Sequence, residues 1–236
     1  MNFIDITETE ELEKRMHQSE KLAVVGEMAA GAAHEIRNPL AVVHGFLSLM
    51  NQSFSEQHRN QYHLPLIMKE IERINVIIEE MLLLSKPGAP IKKDTYLEDI
   101  LAEFLPLIIQ SSEEIEFNIK LERTPLSVDA KQIKQVFHNL IRNSIEAMGG
   151  KGVITIYSQV NEKDYQIFIK DCGPGIPFSM LKTIYDPFSS SKESGTGLGL
   201  MIVKRIIENH QGSIDLHETS EAGTTFLIHL PLSKKE

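Results

Sequence analysis

Tryptophan is absent, and cysteine occurs once, at Cys172, in a chain of 236 residues. A single cysteine excludes an intramolecular disulfide framework and suits a reducing compartment, so a cytoplasmic setting is expected. No stretch approaches the roughly 20 consecutive apolar residues that span a bilayer, and the first thirty residues carry too many charges for a signal peptide. Basic residues are in deficit. Lys plus Arg number 24 against 33 Asp plus Glu, a net charge of −9, which argues against a general electrostatic grip on nucleic acid. What is present is ordinary globular usage, 42% hydrophobic and 24% charged, and the length suits two modest domains.

From Leu22 onward apolar or small residues recur at Val25, Ala29, Ala32, Ile36, Leu40, Val43, Leu47 and Met50, in steps of three and four. This spacing predicts a long amphipathic helix with a heptad-like seam. Polar Asn51 to Asn60 interrupts it, and the pattern resumes at Leu64, Ile67, Ile71, Ile74, Ile78 and Met81. The result is a helical hairpin. A lone hairpin leaves part of such stripes uncovered, whereas two hairpins side by side form an antiparallel four-helix bundle, so a homodimer is expected.

Lys86-Pro87-Gly88-Ala89-Pro90 ends the second helix, because proline and glycine both oppose continuation. The expected organisation is a helical hairpin over 1–86, a linker over 87–91 and a second domain over 92–236. In that second domain Tyr96 to Ser111 reads as helix, Ile115 to Leu121 as strand, and Asp129 as the cap of a helix to about Met148. Gly152 to Val160 and Asp164 to Lys170 form a hairpin around Asn161-Glu162-Lys163. Leu198 to Asn209 is helical, and Ser213 to Thr219 pairs with Thr224 to Leu230 around Glu221-Ala222-Gly223. The fold class is α plus α/β: a helical bundle followed by an α/β sandwich.

His34 and Glu35 precede Asn38-Pro39 in the first long helix. His34 lies off the apolar seam and should face solvent, where a neutral imidazole is a good nucleophile. Glu35 can orient it or take its proton, although residues i and i+1 do not share a helix face. Pro39 removes a helical hydrogen bond to the Glu35 carbonyl and should bend the helix beside the histidine. By spacing alone a solvated helix face explains the pair as well. No His/Cys cluster has zinc spacing, and among the other histidines only His138 adjoins a second constellation.

That constellation begins with Asn139 and Asn143, four residues apart and therefore on one helix face. Their side-chain oxygens suit the shell of Mg²⁺, which takes other ligands from water and phosphate, and Glu146 lies one turn further on. Asp171-Cys172-Gly173-Pro174-Gly175 follows a strand, where a carboxylate can accept from an exocyclic amine and glycines let the backbone approach a flat base. Gly195-Thr196-Gly197-Leu198-Gly199 opens a helix whose free N–H groups favour phosphate. It is neither a Rossmann fingerprint nor a P-loop. Between them lie Asp186-Pro187-Phe188, with Phe188 a candidate lid anchor, and Ser189-Ser190-Ser191-Lys192, whose lysine can reach phosphate.

In this order and spacing the segments resemble the H, N, G1, F and G2 boxes of sensor histidine kinases, with Gly223-Thr224-Thr225 like a G3 box. The first 86 residues resemble a dimerization and histidine-phosphotransfer domain. Residues 92–236 resemble the GHKL (Bergerat) ATP-binding domain shared with Hsp90, gyrase and MutL. The Gly26 to Met50 segment is similar to the sporulation kinases of spore-forming bacteria. The resemblance implies ATP-dependent autophosphorylation of His34, with Glu35 as acid/base helper, then transfer to an aspartate on a response-regulator receiver domain in a sporulation-type phosphorelay. Asn38 matches a position that orients water for the reverse dephosphorylation.

The resemblance further makes Asn143 the Mg²⁺ ligand, Asn139 a phosphate or metal-shell contact, Asp171 the adenine-amine acceptor and Thr224 a contact on the adenine side. Gly173, Gly175, Gly195, Thr196, Gly197, Leu198 and Gly199 cradle the nucleotide, and Lys192 meets phosphate. It allows small inhibitory proteins to dock on the bundle. An upstream sensor, membrane-anchored in the whole protein, is expected from the polar connector Thr7 to Lys21, without membrane contact by this chain itself. Two other readings share some of these features. A non-catalytic helical scaffold accounts for the heptads alone, and a GHKL ATPase would use water in place of His34.

Overall fold

The computed structural model describes residues 36–85, 89–111, 114–189 and 196–232. The chain divides into two compact units between Pro87 and Gly88.

In the first unit, helix α1 occupies 36–53, followed by a short α2 at Glu56–Gln61 and by α3 at Leu64–Ser85. The polar stretch from Asn51 is therefore not the plain break expected of it. Its first residues extend α1, and α2 fills most of the remainder. Phe54, His58 and Tyr62 explain the extra turn: their rings lie 5.8 to 6.5 Å apart, and Arg59 Nε donates to the Phe54 carbonyl at 2.9 Å. Along α3, Leu64, Ile71 and Ile78 are buried at a seven-residue repeat, whereas Ile67 and Ile74 of the same seam are exposed. On α1, Ile36, Val43, Phe46 and Met50 are exposed too. The bend expected at Pro39 would involve the carbonyl of Glu35, which lies outside the described residues.

The second unit carries β1 (Lys93–Tyr96), α4 (Leu97–Ser111), β2 (Ile115–Lys120), β3 (Pro125–Val128), α5 (Ala130–Ala147), β4 (Gly152–Val160), β5 (Asp164–Asp171), α6 (Gly199–Asn209), β6 (Ser213–Ser220) and β7 (Gly223–Pro231). A 3-10 turn spans Phe178–Met180. The main sheet has the order β2-β4-β5-β7-β6, with β2 and β4 parallel and the other pairs antiparallel. Because strand side chains alternate, one row crosses four strands through Ser158, Ile167, Ile228 and Ile214, all buried. Helix α5 packs on β4 and against both α4 and α6, giving the layered α/β sandwich.

Two short strands were not foreseen. Strand β1 pairs with β3 in a separate two-stranded sheet, and Tyr96, expected in the helix, pairs with Pro125 instead. Four-residue strands carry too little periodicity to stand out.

Asp129 caps α5 as its position requires: Oδ1 accepts from the N–H groups of Lys131 at 3.0 Å and Gln132 at 3.2 Å. Its Oδ2 takes the N–H of Ile91 at 2.9 Å. The Asp129 N–H in turn donates to Nε2 of buried His210, at the C-terminal end of α6, at 3.0 Å. That bond fixes the tautomer, leaving the His210 proton on Nδ1 to donate to the Ile206 carbonyl at 2.7 Å. One residue thus ties the start of α5 to the end of α6.

Candidate functional site

Helix α5 presents a polar stripe on an otherwise apolar inner face. Asn139 and Ser144 are buried among Val136, Phe137, Leu140 and Ile141. The Asn139 amide donates from Nδ2 to the Gly199 carbonyl at 3.4 Å, so the stripe meets the first turn of α6. Asn143 faces the same turn, its Nδ2 lying 3.9 Å from where a Cβ on Gly199 would stand. The structure therefore brings both asparagines to a helix N-terminus, where unpaired N–H groups and the helix dipole favour anions. Glu146 is exposed and pairs with Arg142 at 3.7 Å, and His138 is exposed.

Asp171 ends β5 with its side chain buried and fully engaged on one oxygen. Oδ1 accepts from the N–H of Gly173 at 2.9 Å and of Thr224 at 3.1 Å. Oδ2 accepts from the Ser144 hydroxyl at 3.1 Å. Thr224 is buried, and its hydroxyl lies 3.4 Å from that of Thr219, which also accepts from the Ile176 N–H at 2.8 Å. The loop carrying Gly173 and Gly175 is thereby tied to the β6-β7 hairpin. Sequence reasoning missed Ser144 and Thr219. Serine and threonine are too common to signal a role, and only the fold brings them to their partners.

Gly197 explains the loop before α6. It has φ +67°, and a Cβ there would fall 2.4 Å from the Phe188 carbonyl carbon, so only glycine fits. Phe188, the candidate lid anchor, is 61% exposed with φ +63°, and its backbone is what abuts Gly197. Leu198 is buried, and its N–H donates to the Thr196 hydroxyl at 3.4 Å. Asn38 is exposed on α1. His34, Glu35, Lys192 and Gly195 lie outside the described residues. Among the described residues no group of three or more histidine, cysteine, aspartate and glutamate side chains could hold a metal ion.

Two family models match the chain: the His Kinase A (phospho-acceptor) domain over residues 24–90, and the histidine kinase-, DNA gyrase B-, and HSP90-like ATPase over 128–234. Sporulation kinase C of Bacillus subtilis (strain 168) is 40% identical across 97% of this chain and 56% of its own length. Sporulation kinase A of the same organism is 38% identical across 96% of this chain and 38% of its own length. The histidine kinase ThkA, solved in complex with the response regulator protein TrrA, is 30% identical with a TM-score of 0.66, covering 98% of this chain and 70% of that one.

The chain belongs to the sensor histidine kinases.

It spans about half, or less, of the length of the two sporulation kinases. Full-length ShkA in complex with AMPPNP has a TM-score of 0.75 over 89% of this chain at 19% identity, a likeness of fold. Histidine kinase sequence and GHKL architecture thus coincide in the second unit, and His34 falls within the stretch matched by the phospho-acceptor model.

Proposed function

We propose that this chain is the catalytic core of a sensor kinase that transfers the γ-phosphoryl group of ATP to His34. The observation that carries the reading is the convergence of Asn139 and Asn143 on the first turn of α6, with Asp171 held buried at the end of β5. The phosphates would be held at the α6 N-terminus by Thr196, Gly197, Leu198 and Gly199, and Gly195 and Lys192 are assigned to the same group by their places in the sequence motif. The base lies against Asp171, Gly173, Gly175 and Thr224. Asn143 would ligate Mg²⁺, and Asn139 would support the phosphate shell. Mg²⁺ there would neutralise charge between the phosphates, which is most of what phosphoryl transfer asks of its surroundings.

In the reaction a ring nitrogen of His34 attacks the γ-phosphorus in line. The N–P bond forms, the bridging bond to the β-phosphate breaks, ADP leaves, and the imidazole proton passes to Glu35. An aspartate of a receiver domain then attacks the phosphohistidine, restoring the imidazole. Asn38, exposed on α1, can orient water to hydrolyse the regulator's acyl phosphate. Residues 1–86 serve as the phosphotransfer hairpin, 87–91 as the linker that lets the ATP domain move, and 92–236 as that domain.

The exposed seam residues Val43, Ile67 and Ile74 pair two hairpins into a four-helix homodimer, on whose outer face small inhibitory proteins would also dock. Among the described residues no helix is long and apolar enough to cross a membrane. The core works in the cytoplasm as part of a longer sensor, in a sporulation-type relay. The test is the fate of the γ-phosphate. Label retained on the protein and then passed to a receiver domain supports the kinase, whereas release as inorganic phosphate without a protein-bound stage refutes it.

A further inference from the structure

We propose that Ser144 is a positioning residue that sets nucleotide selectivity by fixing the Asp171 carboxylate for the exocyclic amine of adenine. The inference rests on the proposed ATP site and deepens it. A carboxylate has about four acceptor positions, two on each oxygen. On Asp171 both positions of Oδ1 are taken, by the N–H groups of Gly173 at 2.9 Å and Thr224 at 3.1 Å. Oδ2 therefore has to meet the base, and the Ser144 hydroxyl at 3.1 Å fills one of its two positions. A single acceptor remains, matched to a single N–H of an amine.

Burial makes this arrangement consequential. Ser144 is 4% and Asp171 5% exposed, so water replaces the hydroxyl poorly. The contact also joins two parts of the site. Ser144 follows Asn143 on α5, and Asp171 ends β5, so one hydrogen bond sets the base-reading carboxylate in register with the helix that carries the metal and phosphate residues. Without it Oδ2 gains a free acceptor position, and the carboxylate can turn about its Cβ–Cγ bond away from the amine.

A chemical cycle separates this role from a merely structural one. Dissociation constants for ATP and for the analogue with hydrogen in place of the 6-amino group are measured on the full chain, for the wild type and for Ser144→Ala. Because the two ligands are compared on the same protein, partial loss of fold cancels from their ratio. The wild type is expected to prefer ATP, and Ser144→Ala to lose roughly five- to twenty-fold in ATP affinity while binding of the analogue stays within about twofold. Ser144→Thr, which keeps the hydroxyl, should recover the preference. An equal loss for both ligands in Ser144→Ala would overturn the inference and leave the ATP site intact. A wild type that binds both alike would overturn the inference together with the assignment of Asp171, and a wild type that binds neither would overturn the ATP site itself.

Discussion

Gly223 and Asp171 are packed so closely that a Cβ on the glycine would fall 2.0 Å from the aspartate's carbonyl oxygen. Gly223 also has φ +138°, a conformation that L side chains rarely adopt. The β7 strand therefore begins against the residue proposed to read the base, which brings the Thr224 N–H to Asp171 Oδ1 at 3.1 Å. Gly223→Ala should cost at least about 1–3 kcal/mol in backbone strain and displace this hydrogen bond. Thermal unfolding and nucleotide titration should both register the change. A variant with wild-type melting and wild-type affinity would show that the close approach is not needed.

Asn139 and Asn143 share a helix face but differ in burial, and their substitutions should differ accordingly. Asn139 is buried with its amide on the Gly199 carbonyl, so Asn139→Ala leaves a hole and removes a buried hydrogen bond, costing roughly 1–3 kcal/mol of stability as well as nucleotide affinity. Asn143 is only half-buried, so Asn143→Ala should unfold close to wild type yet lose Mg²⁺-dependent nucleotide binding. Calorimetric titration with and without Mg²⁺, beside melting curves, separates the two. Equal affinity of Asn143→Ala and wild type in Mg²⁺ would remove the metal assignment.

The junction of His210 and Asp129 predicts a response to acid. Burial pushes the His210 imidazole below its ordinary 6.5; the hydrogen bond to the Ile206 carbonyl works against this, Lys92 adds to it and Asp129 opposes it. Burial would raise Asp129, but the N–H groups of Ile91, Gln132 and Lys131, with help from His210, leave its carboxyl below the usual 3.8. In both cases the folded state holds its proton more weakly than the unfolded chain does. The His210 contribution is therefore full above about pH 6.5 and is lost as pH falls through the lowered folded value. The Asp129 contribution is lost only below about pH 4. Melting temperature should fall between pH 7.5 and 5.5, and His210→Gln should flatten that slope. An unchanged slope in the variant would place the titrating group elsewhere.

The alternation of buried and exposed seam positions on α3 predicts the oligomeric state. Ile67→Glu with Ile74→Glu puts charge on two exposed positions and spares buried Leu64, Ile71 and Ile78. Sedimentation should show a dimer for the wild type and a monomer for the double variant. A dimer that survives both charges would move the interface off this face.

Much of the fold was legible where periodicity was long. Helix α5 appears with its Asp129 cap because an acidic residue before an apolar period leaves a local signature, confirmed by its bonds to Lys131 and Gln132. The two hairpins appear for a similar reason, as alternating runs around short turns. What failed to show was set by distant partners. Strand β1 exists because Lys93 to Tyr96 finds Pro125 to Val128, and no local pattern announces that pairing. Ser144 meets Asp171 across 27 positions of sequence, and Thr219 meets Ile176 across 43. The positive φ of Phe188 and its backbone's approach to Gly197 likewise left no mark in the sequence beyond the glycine itself.

The central claim, phosphoryl transfer to His34, is tested most directly by incubating the chain with γ-labelled ATP and Mg²⁺ and mapping the label to a residue, beside His34→Gln. The account predicts acid-labile, base-stable label on His34 and none on the variant, with ATP affinity unchanged. Label of equal amount and rate on His34→Gln, or hydrolysis of bound ATP with no phosphohistidine on the wild type, would contradict it.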